Sequence, residues 1–118
     1  MLTADQINTQ AKFLRSIAEK NRLKILHCLQ SGEKTVNEIV ALVDASQSNI
    51  SQHLSCLRGC GIIEKRQEGK FSYYSLATSQ IESLLAMLDN VIEDIGDEVS
   101  CCEQLNNKSL VKDAKQGA

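Results

Sequence analysis

The feature that most constrains the fold of this chain is a change in hydrophobic period near Gly61. Before it, apolar residues recur every three or four positions, as in amphipathic helices. After it, residues 62–67 and 71–76 form short runs rich in β-branched and aromatic side chains, joined by Glu68-Gly69-Lys70. Such runs with a glycine turn between them predict a β-hairpin. The chain is therefore predicted to be mainly α-helical with one hairpin.

Four helices are predicted before the hairpin. The first carries an apolar stripe over residues 7–18, and the second is rich in core residues and stops at Ser31-Gly32. Thr35 and Ser46 are predicted N-caps of a short third helix and of a fourth helix over about residues 47–60, because hydroxyl side chains accept hydrogen bonds from free amides at helix starts. Two short helices followed by a hairpin predict a winged helix-turn-helix fold with the hairpin as the wing.

A fifth helix is predicted after the hairpin. Its apolar stripe consists of Ile81, Leu84, Leu85, Leu88, Val91, Ile92 and Ile95. This stripe is too long for one small domain to bury, so we expect a homodimer formed through the first and last helices. The predicted order is four helices, two strands and a final helix.

The charge is divided along the chain. Residues 46–76 carry four basic and two acidic side chains, whereas residues 77–103 carry seven acidic side chains and no basic ones. Only the middle of the chain therefore suits a polyanion. No apolar run is long enough to span a bilayer and the N-terminus lacks a signal pattern, which predicts a cytoplasmic protein with no membrane partner.

The fourth helix is the predicted DNA-contacting element. Ile50, Leu54 and Leu57 share one stripe, and the opposite face carries hydroxyl and amide groups that can hydrogen-bond phosphates and base edges. A solvated polar face is the alternative, but the order of the elements favours DNA. The predicted contacts are Ser48, Ser51, Gln52 and His53 on this helix and Arg66 and Lys70 on the hairpin.

The chain has five cysteines, which in a cytoplasmic protein favour metal binding or redox chemistry over structural disulfides. Cys56 and Cys60 are four residues apart, so their Cβ atoms should lie about 5–6 Å from each other on one helix face. They fall outside the core stripe, which favours a metal-binding pair over two small buried side chains. Cys28, on the core-rich second helix, is predicted to be buried and structural.

A third thiol is expected from Cys101-Cys102. Adjacent side chains point in different directions, so one of the two should bind. Three thiolates suit Cd(II), Pb(II) or As(III), because soft ligands select soft ions. We assign residues 1–100 to a domain that binds DNA and dimerises, and residues 101–118 to a flexible C-terminal tail that carries the metal-ligand cysteine.

Residues 10–100 resemble the ArsR/SmtB family of bacterial metal-sensing repressors. The motifs that carry the resemblance are Gln47 to Leu54, Leu57-Arg58, Gly61, Glu68 to Lys70 and Tyr73-Tyr74. Cys56 and Cys60 are similar to the cadmium- and lead-sensing branch, in which two recognition-helix cysteines and one tail cysteine bind the ion. Cys101 occupies the matching tail position. The resemblance implies that a metal-free homodimer binds operator double-stranded DNA and that Cd(II) or Pb(II) releases it.

Other branches of the family fit this sequence less well. Sensors of the third-helix type have two cysteines where this chain has Thr35 and Asn37, and the zinc type needs last-helix histidines, whereas the only histidines here are His27 and His53. The vicinal Cys101-Cys102 pair leaves an arsenite-responsive repressor as one alternative, and a thiol-redox-responsive repressor is another. An enzyme is not expected, because a thiol oxidoreductase would need a C-x-x-C motif in a βαβ context.

Overall fold

The structure is a computed structural model that describes residues 2–110, with side chains described for residues 2–96. The chain divides into a first unit up to residue 83 and a second unit from residue 84, and each is described by itself. The helices are α1 (Ala4–Ile17), α2 (Lys20–Leu29), α3 (Val36–Val43), α4 (Gln47–Gly59) and α5 (Ser79–Leu110), and the strands are β1 (Lys34–Thr35), β2 (Ile63–Glu68) and β3 (Phe71–Leu76). The predicted mainly helical fold with a hairpin wing is confirmed.

The sheet contains one strand more than the predicted hairpin. β2 and β3 pair antiparallel, with Ile63 opposite Leu76 and Glu68 opposite Phe71. β1 adds to the free edge of β3, which gives the order β1-β3-β2. The sequence prediction did not include this strand, because a strand of two residues has no period that could reveal it. β1 joins the start of α3 to the wing.

Side-chain caps fix the start of α3 and the tight turn that leads from α3 to α4. The Thr35 hydroxyl accepts from the Glu38 amide at 3.3 Å while the Glu38 carboxylate accepts from the Thr35 amide at 2.8 Å, which is a capping box. Asp44 closes α3 with φ 63°, and the Ser46 hydroxyl caps α4 by accepting from the Asn49 amide at 3.0 Å. Both predicted N-caps are confirmed.

The core of the first unit holds α4 by one face. The buried apolar residues of the first unit are Ile17, Ile25, Leu26, Leu29, Ile39, Val43, Ile50, Leu54, Leu57, Ile62 and Ile63. The three from α4 are at most 1% exposed, which confirms the predicted stripe. Gly61 follows α4 with φ 76°, a left-handed conformation that favours glycine, and it directs the chain into β2. The opposite face of α4 is left open.

α5 begins in the first unit and continues through the second. Its backbone departs from helical values at Ile95 (φ −118°, ψ 24°), and the helix then runs to Leu110. It therefore includes the backbone of Cys101 and Cys102, in the segment that we expected to be a tail; the flexibility of residues 101–118 stays a prediction. Apolar side chains of α5 are exposed at Leu84, Met87, Val91, Ile92 and Ile95. No described helix is long and apolar enough to cross a membrane.

Candidate nucleic-acid interface and thiol pair

The open face of α4 presents short polar side chains. Ser48, Ser51 and Gln52 are all exposed, on the side of the helix away from its buried stripe. Hydroxyl and amide groups of this kind donate to phosphate oxygens and to base edges in a major groove. Their contact with DNA stays a prediction, but the structure leaves all three free to make it.

His53 lies deeper than the other predicted contacts. Its side chain is 15% exposed, and its Nδ1 accepts a hydrogen bond from Arg22 Nε at 3.0 Å. Its Nε2 lies 3.6 Å from Glu19 Oε1. A phosphate contact would have to compete with these two partners, and the predicted DNA contact of His53 stays a prediction. Sequence reasoning missed Arg22 and Glu19, which no local signal connects to α4.

The two basic side chains that are predicted to contact DNA from the wing differ in their partners. The Arg66 guanidinium donates to the Glu33 carboxylate at 2.6 and 3.3 Å and to Glu68 at 3.1 Å, and it lies 4.7 Å from the centre of the Tyr73 ring. The hydrogen bond from Arg66 lowers the pKa of Glu33, and the two carboxylates raise the pKa of Arg66, Glu33 more than Glu68.

Lys70 is at the tip of the hairpin, directly after Gly69, and its side chain is exposed. It forms no ion pair or side-chain hydrogen bond with residues 2–96. The predicted phosphate contacts of Arg66 and Lys70 stay predictions. To contact a phosphate, the Arg66 guanidinium would have to be shared with Glu33, whereas Lys70 has no such partner among residues 2–96.

Cys56 and Cys60 are both exposed at the C-terminal end of α4. This confirms that the pair lies outside the core. Cys60 is the C-cap, and its amide donates to the Cys56 carbonyl at 3.1 Å, so the backbone fixes the two residues relative to each other. Cys60 also borders a cavity of about 330 Å³ that Phe13 and Ser16 of α1 help to line.

Two thiols are an incomplete site for a tightly held ion. Among the described side chains, no group of three His, Cys, Asp or Glu residues is arranged to hold a metal. The side chain of Cys101, the predicted third ligand, lies outside the described residues. The available donors nevertheless fit a soft cation, because both are thiols of exposed residues at one end of α4.

Cys28 differs from this pair. It is half-buried on α2, and burial is the main reason that the pKa of its thiol is raised, with Glu38 adding to the shift and Lys34 opposing it. The prediction that Cys28 is buried is therefore met in part. A raised pKa keeps this thiol protonated at neutral pH, which suits a structural cysteine better than a metal ligand.

Comparisons with known proteins agree with this geometry. Residues 19–65 match the family described as bacterial regulatory protein, arsR family. The chain is 34% identical over 98 residues to the probable mercury resistance operon repressor of Streptomyces lividans, and the aligned region covers 83% of this chain and 78% of that protein. It is 33% identical over 102 residues to the HTH-type transcriptional regulator CmtR of Mycobacterium tuberculosis, and the aligned region covers 86% of each chain.

A solved structure shares the fold. It is a homodimeric winged helix-turn-helix DNA-binding domain from Mycobacterium bovis, described as a possible ArsR-family transcriptional regulator. The two chains superpose with a TM-score of 0.70 at 29% identity, over 80% of this chain and 87% of that one. The order of helices and wing is thus that of a known class of DNA-binding domain.

Proposed function

Because this chain belongs to the bacterial ArsR family of regulatory proteins, we propose that it is a metal-responsive transcriptional repressor that binds operator DNA as a homodimer. In this proposal Cd(II) or Pb(II) releases the DNA when it binds Cys56 and Cys60 on α4 together with Cys101. The proposed activity is regulatory and not enzymatic, in keeping with relatives that are named as regulators and a repressor.

The observation that carries the proposal is the position of the thiol pair on α4. Cys56 and Cys60 are exposed on the same helix whose open face presents Ser48 and Gln52. The helix is a single element from Gln47 to Gly59, so a constraint at its C-terminal end is also a constraint on its polar face. A core position for the thiols would have given no such connection.

The residues of this chain would act in the following way. Cys56 and Cys60 lose their protons and hold the ion from α4, while Cys101 holds it from α5. The ion supplies positive charge that favours the thiolate forms over the thiols. If the ion binds the free dimer more tightly than the operator complex, thermodynamic linkage requires it to weaken DNA binding by the same factor, typically about 5- to 150-fold.

A metal-titrated gel shift tests the proposal. The probe is a duplex that the metal-free protein selects from a random-sequence pool, hereafter the selected duplex, with a scrambled duplex as control. Cd(II), Pb(II), Hg(II), Zn(II) and As(III) are added separately, and thiolate-to-metal charge-transfer absorption reports binding. Cd(II) or Pb(II) should release the selected duplex with one ion bound per protomer.

Cysteine-to-serine variants locate the ligands, because serine is similar in shape but a poor ligand for soft ions. Cys56→Ser and Cys60→Ser should bind the selected duplex and ignore Cd(II). Cys101→Ser should lose most of the response, and Cys28→Ser is the matched control that should respond normally. A normal response in Cys60→Ser would refute the recognition-helix site.

The alternatives give different outcomes in the same assay. Release by As(III) but not by Cd(II) or Pb(II) would identify an arsenite-responsive repressor. Release by peroxide in metal-free buffer, reversed by a reductant, would identify a thiol-redox-responsive repressor.

A further inference from the structure

A half-buried polar link joins α2 to α4 in the first unit. Arg22 Nε donates to His53 Nδ1 at 3.0 Å, and Arg22 Nη1 donates to the Ser16 carbonyl at 2.8 Å. The Glu19 carboxylate caps α2 by accepting from the Arg22 amide at 2.9 Å, and the same oxygen lies 3.6 Å from His53 Nε2. One guanidinium thus bridges the end of α1 and the middle of α4.

Both acceptors that Arg22 binds need a hydrogen-bond donor. Ser16 is in the last turn of α1, where backbone carbonyls have no amide partner within the helix. His53 is 15% exposed, so its Nδ1 has little access to water. Because Nδ1 accepts from Arg22, the neutral ring carries its proton on Nε2, which faces Glu19. The planar fork of an arginine suits two acceptors held in fixed directions.

Close packing of Ile50, Leu54 and Leu57 fixes which face of α4 is buried. The hydrophobic effect behind this packing is non-directional, so small rotations of α4 about its own axis are left to directional contacts. Hydrogen bonds are directional and resist rotation. His53 adjoins Gln52 in the sequence, so the bond from Arg22 acts beside the exposed polar face.

A second bond supports the same link one turn earlier. Asn21 Nδ2 donates to Asn49 Oδ1 at 3.2 Å. Asn49 and His53 are four residues apart and so lie on one side of α4, facing consecutive residues of α2.

We propose that Arg22 is a positioning residue for DNA recognition, which sets the rotation of α4 through His53 and thereby the aim of Gln52 and Ser48. Arg22 itself does not touch DNA. The inference rests on α4 being the helix that contacts DNA, but it does not depend on metal sensing.

A binding cycle on the selected and scrambled duplexes tests the role. Arg22→Gln should weaken binding to the selected duplex by roughly 10-fold or more, since the bond it loses comes from a charged donor. Binding to the scrambled duplex and the salt slope should stay close to wild type. Lys24→Gln removes the same charge from an exposed position on α2 and should leave the preference for the selected duplex intact.

His53 variants separate positioning from a direct contact. His53→Asn keeps an acceptor near the position of Nδ1 and should retain most of the preference, whereas His53→Leu should lose it as Arg22→Gln does. The double variant Arg22→Gln/His53→Leu should be no weaker than the worse single variant, because both changes break one link. In nitrogen-detected NMR of the neutral ring, Arg22→Gln should shift the His53 Nδ1 resonance and Lys24→Gln should not.

Two results would overturn the proposal. A salt slope reduced by about one ion in Arg22→Gln, with losses that add to those of His53→Leu, would place Arg22 on a phosphate. Wild-type preference in a folded Arg22→Gln protein would remove its role altogether. If the wild-type protein selected no duplex at all, the proposed DNA-binding function would fail, and the positioning role with it.

Discussion

The exposed apolar face of α5 predicts that one acidic substitution will separate the proposed dimer. Five apolar side chains on the described part of α5 are 36–57% exposed. Complete burial of such a side chain contributes roughly 1.5–3 kcal/mol, so covering the exposed half contributes about 1 kcal/mol each. Two copies of this face would then supply about 10 kcal/mol, which is of the same order as the cost of association. A dimer held in this way tolerates little loss.

Val91→Asp is the perturbation. The substitution replaces an apolar contact by a carboxylate, and the two-fold symmetry of the dimer places the same carboxylate on both protomers. An unpaired buried charge costs several kcal/mol. The dimer dissociation constant should therefore rise by roughly 100- to 1000-fold. Sedimentation equilibrium over a range of concentrations measures it. Asn90→Asp is the matched control, because it adds the same charge about 100° away around the helix.

The control should remain as dimeric as the wild-type protein. A Val91→Asp protein with native circular dichroism and an unchanged dissociation constant would show that this face of α5 is not the dimer seam. The exposed apolar residues of α1, which include Ile7 and Leu14, would then be the surface to test.

Three further predictions concern the wing, the polar face of α4 and Cys28. Lys70→Ala should weaken binding to the selected and scrambled duplexes alike and lower the salt slope by about one ion. Gln52→Ala should lose roughly 1–3 kcal/mol of binding free energy on the selected duplex only. Fluorescence anisotropy measures both affinities. Equal behaviour of the two variants would contradict the assignment. Glu33→Gln should tighten DNA binding at low salt, because it frees Arg66 from its shortest ion pair; unchanged affinity would mean that Arg66 does not approach DNA. Iodoacetamide at neutral pH should label Cys28 more slowly than either cysteine of α4, because burial raises the pKa of Cys28, and mass spectrometry should find the difference gone in denatured protein.

The features that could be predicted from the sequence are those with a local or periodic signal. Thr35 and Ser46 cap their helices through partners three residues away, and Gly61 ends α4 by its own backbone conformation. The buried stripe of α4 recurs at helical spacing, which also placed Cys56 and Cys60 on the surface. In each case the physical cause lies within one or two helical turns.

The features that were missed depend on pairs distant in sequence. Arg22 reaches His53 across 31 residues, and Arg66 reaches Glu33 across 33. A histidine beside a polar face and an arginine in a basic hairpin both look available for phosphate when only their neighbours in sequence are considered. Their partners come from α2 and from the residue before β1, and only the packing of the first unit brings these groups together.

The placement of both thiols on α4 limits how a metal ion can act on DNA binding. Cys56 lies in the last turn of α4 and Cys60 is its C-cap, and a backbone hydrogen bond joins them. An ion held by these two alone therefore leaves the directions of Ser48 and Gln52 relative to each other unchanged. The effect on DNA must come from a ligand outside α4, which ties that helix to another part of the dimer and restrains its position. Metal binding and DNA release are therefore separable: Cys101→Ser can still bind Cd(II) through the α4 pair, yet its affinity for the selected duplex should then stay close to that of the metal-free protein.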